Sequence, residues 1–397
     1  MESVALHVYE WFVPVRVDDK LLVWGNIEEN TIAQARKAAR LPIVEGHVAL
    51  MPDAHIGIGA TIGSVIPTES AVIPSAVGVD IGCGMVAVRT DVREDQLPDD
   101  LRPLLHKIEH AVPAGVGKGH GRVTKAAESW LGGRSPPHAL SDKQTRTTLE
   151  QFGTLGSGNH FLEVSIDEAG LVWIVLHSGS RGIGNQLAAH HISMAKRDMK
   201  RALVSLVDPD LAYFVQGTAD FDAYIADMQW AQDYAMANRA AMIDAAVGVF
   251  LRWLGFGAET ERVNCHHNFA AREHHGGKEI WVTRKGAIKA DTGDIGIIPG
   301  SMGARTFIVR GKGNELSYTS CSHGAGRRMS RKQARKQIPL ETFREQMKGR
   351  VWLDDQARRL LDEGPDAYKD IEQVMRDQAD LVEIVHELRG IVNYKGL

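Results

Sequence analysis

The stretch Ser320-Cys321-Ser322-His323-Gly324-Ala325-Gly326-Arg327 sets a histidine among small residues and follows it with a basic run, Arg328, Arg331, Lys332, Arg335 and Lys336. Glycines let backbone approach a phosphate closely, cations offset its charge, and an imidazole held there is an exposed nucleophile. His323 is read as that nucleophile. The remainder of the chain must then supply a metal, a nucleotide and an acceptor.

A second set of residues has the chemistry of metal ligands. Asp80 and Cys83 lie three apart in a glycine-rich turn, His160 and His177 are each read just after a strand run, and His266-His267 follows Asn264-Cys265. Carboxylate, thiolate and imidazole together suit a divalent first-row ion, and the set could hold two ions if Cys83 bridges them. Adjacent residues on a strand face opposite sides, so only one of His266 and His267 would point at a common site. Arg181 and Arg327 stand in glycine-lined turns next to His177 and His323, a placement that suits oriented phosphate binding. Gly300-Ser301-Met302-Gly303 and Gly311-Lys312-Gly313-Asn314 offer backbone N–H groups for a phosphate, or are plain hairpin turns.

The elements that position these residues fall into blocks. Leu21 to Trp24 reads as a strand and about Glu28 to Arg40 as an amphipathic helix. From Val48 to Arg89 short β-branched runs alternate with glycine, the texture of strands with bulges and tight turns around a site. Residues 92–112 read as helical, and 113–145 as a glycine- and proline-rich loop made basic by Lys118, His120, Arg122 and Lys125, a solvated loop or a flap that touches phosphates. A second strand-and-glycine block carries His160 and His177. A helical excursion follows at about 186–256, where Phe221, Tyr224, Ile225, Met228, Ala235, Met242, Ala246 and Val249 recur at helical spacing and read as core packing. Strands resume at Glu261–Asn268 and from Glu279 to Val309, and about Leu340 to Val392 reads as mainly helical. Since the blocks on both sides of the excursion carry histidine motifs, one cooperative domain over 1–397 is expected.

With 397 residues, 44% hydrophobic and 24% charged, the chain has the balance of a soluble globular protein. A net charge of -4 argues against nucleic-acid affinity over the whole surface and confines any such site to a cleft. Met1 to Lys20 lacks the pattern of a signal peptide, and no stretch is apolar enough to span a bilayer, so no membrane partner and a cytoplasmic location are expected. The three cysteines, Cys83, Cys265 and Cys321, each sit in a polar motif and suggest site chemistry rather than a disulfide framework. Standard nucleotide motifs are absent: Gly115-Val116-Gly117-Lys118-Gly119-His120 lacks the spacing and hydroxyl of a P-loop, and the glycines at 57, 59 and 63 miss the dinucleotide fingerprint.

Seven motifs in order carry a specific resemblance. They are Pro-Asp-Ala-His at 52–55, Gly-Val-Asp-Ile-Gly-Cys-Gly-Met at 78–85, Leu-Gly-Ser-Gly-Asn-His-Phe at 155–161, Leu-His-Ser-Gly-Ser-Arg-Gly at 176–182, Asn-Cys-His-His-Asn at 264–268, Ile-Pro-Gly-Ser-Met-Gly at 298–303 and Ser-His-Gly-Ala-Gly-Arg at 322–327. Together they resemble the RtcB family of RNA ligases, from about residue 45 to Lys395-Gly396. The resemblance implies an α+β fold of packed, mostly antiparallel sheets with surrounding helices about a central cleft. It implies a ligase dependent on GTP and two Mn2+ ions that joins RNA 3′-phosphate or 2′,3′-cyclic phosphate ends to 5′-hydroxyl ends, in tRNA splicing or RNA repair, with an archease-type activator as a partner. By motif, His323 would carry GMP covalently, and Asp80, Cys83, His160, His177 and His267 would bind manganese, with Cys83 bridging. Asn159 and Arg181 would hold phosphates and Arg327 would face RNA. Glu163, Ser301, Ala325, Gly326, Lys395 and Tyr368 would line the guanine pocket. Asp53, in its polar turn, is expected to orient His323 or handle a proton. Two departures stand out: Ile58 occupies the position where many relatives have lysine, and Leu397 follows the usual Lys-Gly terminus. Two other functions fit the same residues: a nucleotidyltransferase that caps 3′-phosphate ends without sealing, and a metal-binding RNA-associated protein without turnover.

Overall fold

A computed structural model of the chain describes residues 14–134, 138 and 140–396. Pro136 and Pro137 of the basic loop, the first residues of the chain and Leu397 lie outside the described residues. The architecture is α+β, built on two antiparallel-dominated sheets. One has six strands in the order Val15–Asp18, Leu21–Val23, Val48–His55, Ile62–Thr68, Lys278–Lys285, Asn268–His275, with Leu21–Val23 and Val48–His55 the parallel pair. The other has seven, in the order Glu259–His266, Gly84–Arg93, Leu171–Ser178, Phe161–Ile166, Val382–Lys395, Arg305–Gly311, Ile295–Pro299.

The sheets pack face to face. Leu22, Ala49, Met51, Val65 and Val282 of the first meet Ile298, Phe307, Val309 and Val382 of the second, all buried. Burial of each of these side chains larger than alanine contributes about 1.5–3 kcal/mol. In Leu171–Ser178 the alternation is hidden because both faces are covered: Val172, Ile174 and Leu176 pack toward Met242 and Phe250 of the helix Ala219–Leu254, while Trp173 and Val175 pack toward Ile297 and Ile308. Hence the unbroken apolar run in the sequence.

Register places the functional residues at one end of adjacent strands. His177 pairs with Met85 on one side and Phe161 on the other. Gly84 pairs with both Ser178 and His266. Cys83 directly precedes Gly84, His160 directly precedes Phe161, and His267 directly follows His266, so the strand ends converge. His323 follows the short strand Ser320–Ser322, which pairs with Ala287–Lys289, and the Ala287 N–H donates to the His267 carbonyl at 3.1 Å.

Three elements differ from the sequence reading. The loop at 113–145 contains the helix Lys125–Leu131 and opens the helix Asp142–Gln151, each capped by a hydroxyl, Thr124 and Ser141, that accepts a backbone N–H. His160 opens a strand rather than closing one. The segment expected to be mainly helical ends in a strand of 14 residues, Val382–Lys395, in the interior of the seven-stranded sheet. The aromatic and methionine spacing in the excursion does produce a core-facing helix, with Phe221, Tyr224, Met228, Met242 and Ala246 all buried. Its start lies earlier than expected, at the helix Arg181–Arg201.

Candidate active site

Four ligand-type side chains meet around the Cys83 sulfur. His177 Nε2 lies 3.3 Å and His160 Nε2 3.5 Å from Sγ, and His177 Nε2 is 3.3 Å from His267 Nε2. Asp80 Oδ2 is 3.1 Å from His160 Nε2. His160 Nδ1 lies 3.0 Å from the Leu155 carbonyl and His177 Nδ1 3.2 Å from that of Asn159. A carbonyl only accepts, so both Nδ1 atoms carry a hydrogen, and in each ring Nε2 is the nitrogen that faces the sulfur. Burial, with the neighbouring histidines, holds the His177 and His267 imidazoles well below their ordinary pKa. Burial and then Asp80 push the Cys83 thiol well above its ordinary value. Converging lone pairs in a buried site need a cation between them. The donor set therefore fits a metal, and its carbonyl-anchored rings are the outer support such sites use.

Among the described residues the ligand atoms form two triads, Cys83-His177-His267 and Asp80-Cys83-His160, each with its atoms within 4.8 Å of one another. Cys83 belongs to both. Asp80 is fixed by Ser180, whose N–H donates to Oδ1 at 3.0 Å. His266 points elsewhere: its Nδ1 lies 2.9 Å from the Gly82 carbonyl and 3.2 Å from Arg239.

His323 stands against this cluster, its ring centroid 4.9 Å from that of His267. Asp53, fully buried two residues before the end of its strand, brings Oδ2 to 2.6 Å from His323 Nδ1 and accepts the N–H groups of His323 at 3.0 Å and Gly324 at 3.1 Å. Burial pushes the Asp53 carboxyl up, but the charge and hydrogen bond of His323 outweigh it and hold the pKa below the ordinary value. With Nδ1 occupied, Nε2 is the free nitrogen. Gly326 is required here, since a Cβ at its φ of +73° would come 2.1 Å from the Asp53 carbonyl oxygen.

A cleft with about 310 Å³ of open volume adjoins His323 and is lined by Asn159, Glu163, Ser301, Ala325, Gly326, Tyr368 and Lys395. All seven come from the sequence reading. Glu163 accepts from Ser165 Oγ at 2.8 Å and Asn393 Nδ2 at 2.9 Å, and burial raises its pKa. Lys395 is buried and ion-paired to Glu363. Arg327 lines the same cleft, its guanidinium 4.7 Å from the Tyr368 ring centroid and donating to the Tyr368 hydroxyl at 2.7 Å. Arg181 sits on the His160 side, donating to Thr154 Oγ1 at 3.2 Å. A Cβ on Gly156 would come 2.2 Å from its Nη1 and 2.7 Å from His160 Nδ1.

Several residues at the site escaped the sequence reading. Arg239, fully buried on the long helix, donates to the Gly82 carbonyl at 2.7 Å and the Ser178 carbonyl at 3.1 Å, and its pKa is lowered to about 10, chiefly by burial. Asn238 beside it bridges Gly153 and Gly179. Glu363 and Asp362 are buried acids that hold Arg331 and Arg335, two of the cations read as a phosphate patch behind His323. Cys321, expected near site chemistry, packs instead in the core between the sheets, and Cys265 is half-buried against that core.

A buried thiol–imidazole–carboxylate set beside a carboxylate-held histidine that lines an open cleft defines an enzyme with a candidate metal site. The chain belongs to the RtcB family of ligases: the family model described as tRNA-splicing ligase RtcB matches residues 34–396. It is 44% identical to the RNA-splicing ligase RtcB of Escherichia coli strain K12 over 390 residues, covering 93% of this chain and 95% of that protein. It is 31% identical to the tRNA-splicing ligase RtcB of Nanoarchaeum equitans, covering 97% of this chain and 95% of that one. The RNA-splicing ligase RtcB of Mycobacterium tuberculosis is 29% identical, over 86% of this chain and 94% of its own length.

Proposed function

We propose that the protein is a GTP- and manganese-dependent ligase that joins RNA 3′-phosphate or 2′,3′-cyclic phosphate ends to 5′-hydroxyl ends through a histidine-bound GMP. The observation that carries this is the hold of Asp53 on His323: a charge-assisted bond at Nδ1 leaves Nε2 as the nucleophilic nitrogen, beside the ligand cluster and at the cleft wall. In this mechanism the Nε2 lone pair of His323 attacks the α-phosphorus of GTP and pyrophosphate departs. The ring becomes cationic as the P–N bond forms, and the Asp53 carboxylate stabilises that charge. An RNA 3′-phosphate oxygen then attacks the same phosphorus, returning the electron pair to His323 and leaving GMP joined to the RNA by a diphosphate. Attack by the 5′-hydroxyl on the RNA phosphorus seals the strand, loses its proton and expels GMP. A cyclic phosphate is first opened by water.

Two manganese ions, held by the triads that have Cys83 in common, would supply the positive charge that offsets repulsion between the phosphates and their attackers. Asn159 and Arg181 hold phosphates and Arg327 faces the RNA end. Glu163, Ser301, Ala325, Gly326, Tyr368 and Lys395 form the guanine pocket, where a buried acceptor, Glu163, suits the N–H edge of the base. The ligand residues gather at strand ends of the seven-stranded sheet, Asp53 lies on a strand of the six-stranded one and His323 follows the separate short strand Ser320–Ser322, and residues 1–397 act as one catalytic unit.

The test is incubation with GTP labelled at the α-phosphate and manganese, followed by a denaturing gel. Label is expected on the native chain and none on His323→Ala. Label that persists on the variant, or never forms on the native chain, overturns the assignment. Added RNA with 3′-phosphate and 5′-hydroxyl ends should yield joined product. Capped 3′ ends that accumulate without joining would instead identify a capping nucleotidyltransferase.

A further inference from the structure

A second hollow, with about 430 Å³ of open volume, lies beside the cleft and is lined by Arg331, Arg335, Arg358 and Arg359 over Ser157 and Gly158. Arg331 and Glu363 line both spaces, so the two share a wall. The four arginines are not equivalent. Arg331 and Arg335 are neutralised by Asp362, at 2.8 and 2.9 Å, and by Glu363. Arg358 and Arg359 are exposed on the short helix Ala357–Leu360, and among the described residues neither has a carboxylate within 4.0 Å. Among the described residues the Arg359 side chain donates only to Gln356 Oε1, at 3.0 Å. The hollow thus keeps two uncompensated guanidinium groups, the donors best shaped for phosphate oxygens.

Its floor is the glycine turn that runs directly into Asn159 and His160. Its far wall, Val116, belongs to the loop whose Gly115 and Lys118 carbonyls lie 3.5 Å from the Arg181 guanidinium. Cations therefore stand on both sides of one short turn, with Arg181 on the ligand-cluster side and Arg358 and Arg359 on the outside. Solvent-facing, sequence-blind contacts of this kind fit a polymer's phosphate chain.

We propose that this hollow is a second phosphate site, holding the backbone of the RNA strand whose 3′-phosphate enters the cleft. It rests on the RNA 3′-phosphate ligase function proposed above. Arg358 and Arg359 bind there without taking part in the chemistry.

The test compares the native protein with the double variant Arg358→Ala, Arg359→Ala, reading binding of 3′-phosphate RNA by fluorescence anisotropy over a salt series, and label transfer from GTP. Binding of a strand of about 12 nucleotides should weaken about tenfold and its log–log salt slope should fall by about 1 to 1.5, while a strand of about 2 nucleotides binds as before. The Arg358→Lys, Arg359→Lys variant should recover most of the lost affinity, separating charge from folding. Label transfer should be unchanged. Equal loss for short and long strands, or an unchanged salt slope, overturns the proposal. A raised KM for GTP with RNA binding intact would assign the hollow to the pyrophosphate of GTP instead, which also overturns it. Binding is read without turnover, so a protein that binds RNA by this length rule yet forms no label or joined product refutes the ligase mechanism and leaves the phosphate site standing.

Discussion

Asp53 gathers three N–H groups on one oxygen, Oδ2, and among the described residues leaves Oδ1 buried without a partner. Asp53→Asn can keep its oxygen toward those donors only by placing an NH2 group in the unpartnered position, at a cost of about 1–3 kcal/mol. The tautomer of His323 survives, but the charge that, in the proposed mechanism, stabilises the cationic ring is gone. Guanylylation should slow by roughly 100-fold or more, in the range seen when a positioned acid–base group is lost. Single-turnover label incorporation measures it, and an unchanged rate would remove Asp53 from the chemistry. The carboxyl is held below its ordinary pKa, so its pairing stabilises the fold fully above about pH 3.9 and is lost as pH falls through the depressed value. The gap in stability between the native chain and Asp53→Asn should therefore narrow in acid, as urea unfolding at several pH values would show. At this scale the sequence was legible where type and context coincide: a histidine among glycines, or Asp and Cys in one turn. Glu363 and Arg331 offered no such context, because a buried ion pair and a solvated helix face are spelled with the same residues.

The long helix Ala219–Leu254 shows how an element can be read correctly and still be underestimated. Its periodicity marked a packing face, and that face does pack, yet on it Arg239 and Asn238 reach the Gly82, Ser178 and Gly179 carbonyls that shape the ligand turns. Core spacing gives no sign of which polar residue on the face will find backbone carbonyls. Arg239→Met preserves much of the side-chain volume but leaves those carbonyls unpaired. Metal affinity should weaken about 10-fold or more, as for other outer-shell supports. Equilibrium dialysis against manganese checks this, and native affinity in the variant would reduce Arg239 to a packing role. The strand Val382–Lys395 was illegible for a different reason. Val382, Leu388, Ile391 and Val392 are buried while Glu383 and Ile384 are exposed, with register irregularities in its pairing on both sides, so neither a period of 2 nor of 3.6 dominates. Its place in the sheet is decided by neighbours far away in sequence, which no local window contains.

Across the whole molecule the ligand cluster is also a joint. His267 lies between Glu259–His266 of the seven-stranded sheet and Asn268–His275 of the six-stranded one, so a cation held by His267, His177 and Cys83 ties the two sheets together. A ligand that binds only the folded chain stabilises it by about 2.7 kcal/mol at 100 times its Kd. Manganese should therefore raise the Tm in a concentration-dependent way, and a chelator should reverse the gain. The pH dependence follows from the donor groups. His177 and His267 have their pKa values held low and are already neutral at pH 7, whereas the Cys83 thiol is pushed up and still carries its proton. Binding must displace that proton, so affinity should rise about tenfold per pH unit between about pH 6 and 8. Cys83→Ala should lose most of the affinity and the pH slope with it, since the residue belongs to both triads. Calorimetric titration at two pH values, in buffers of different ionisation enthalpy, counts the proton released. Affinity independent of pH with no proton released would mean that Cys83 is a thiolate before the cation arrives, and the buried cluster would then have to be held together by something other than the metal.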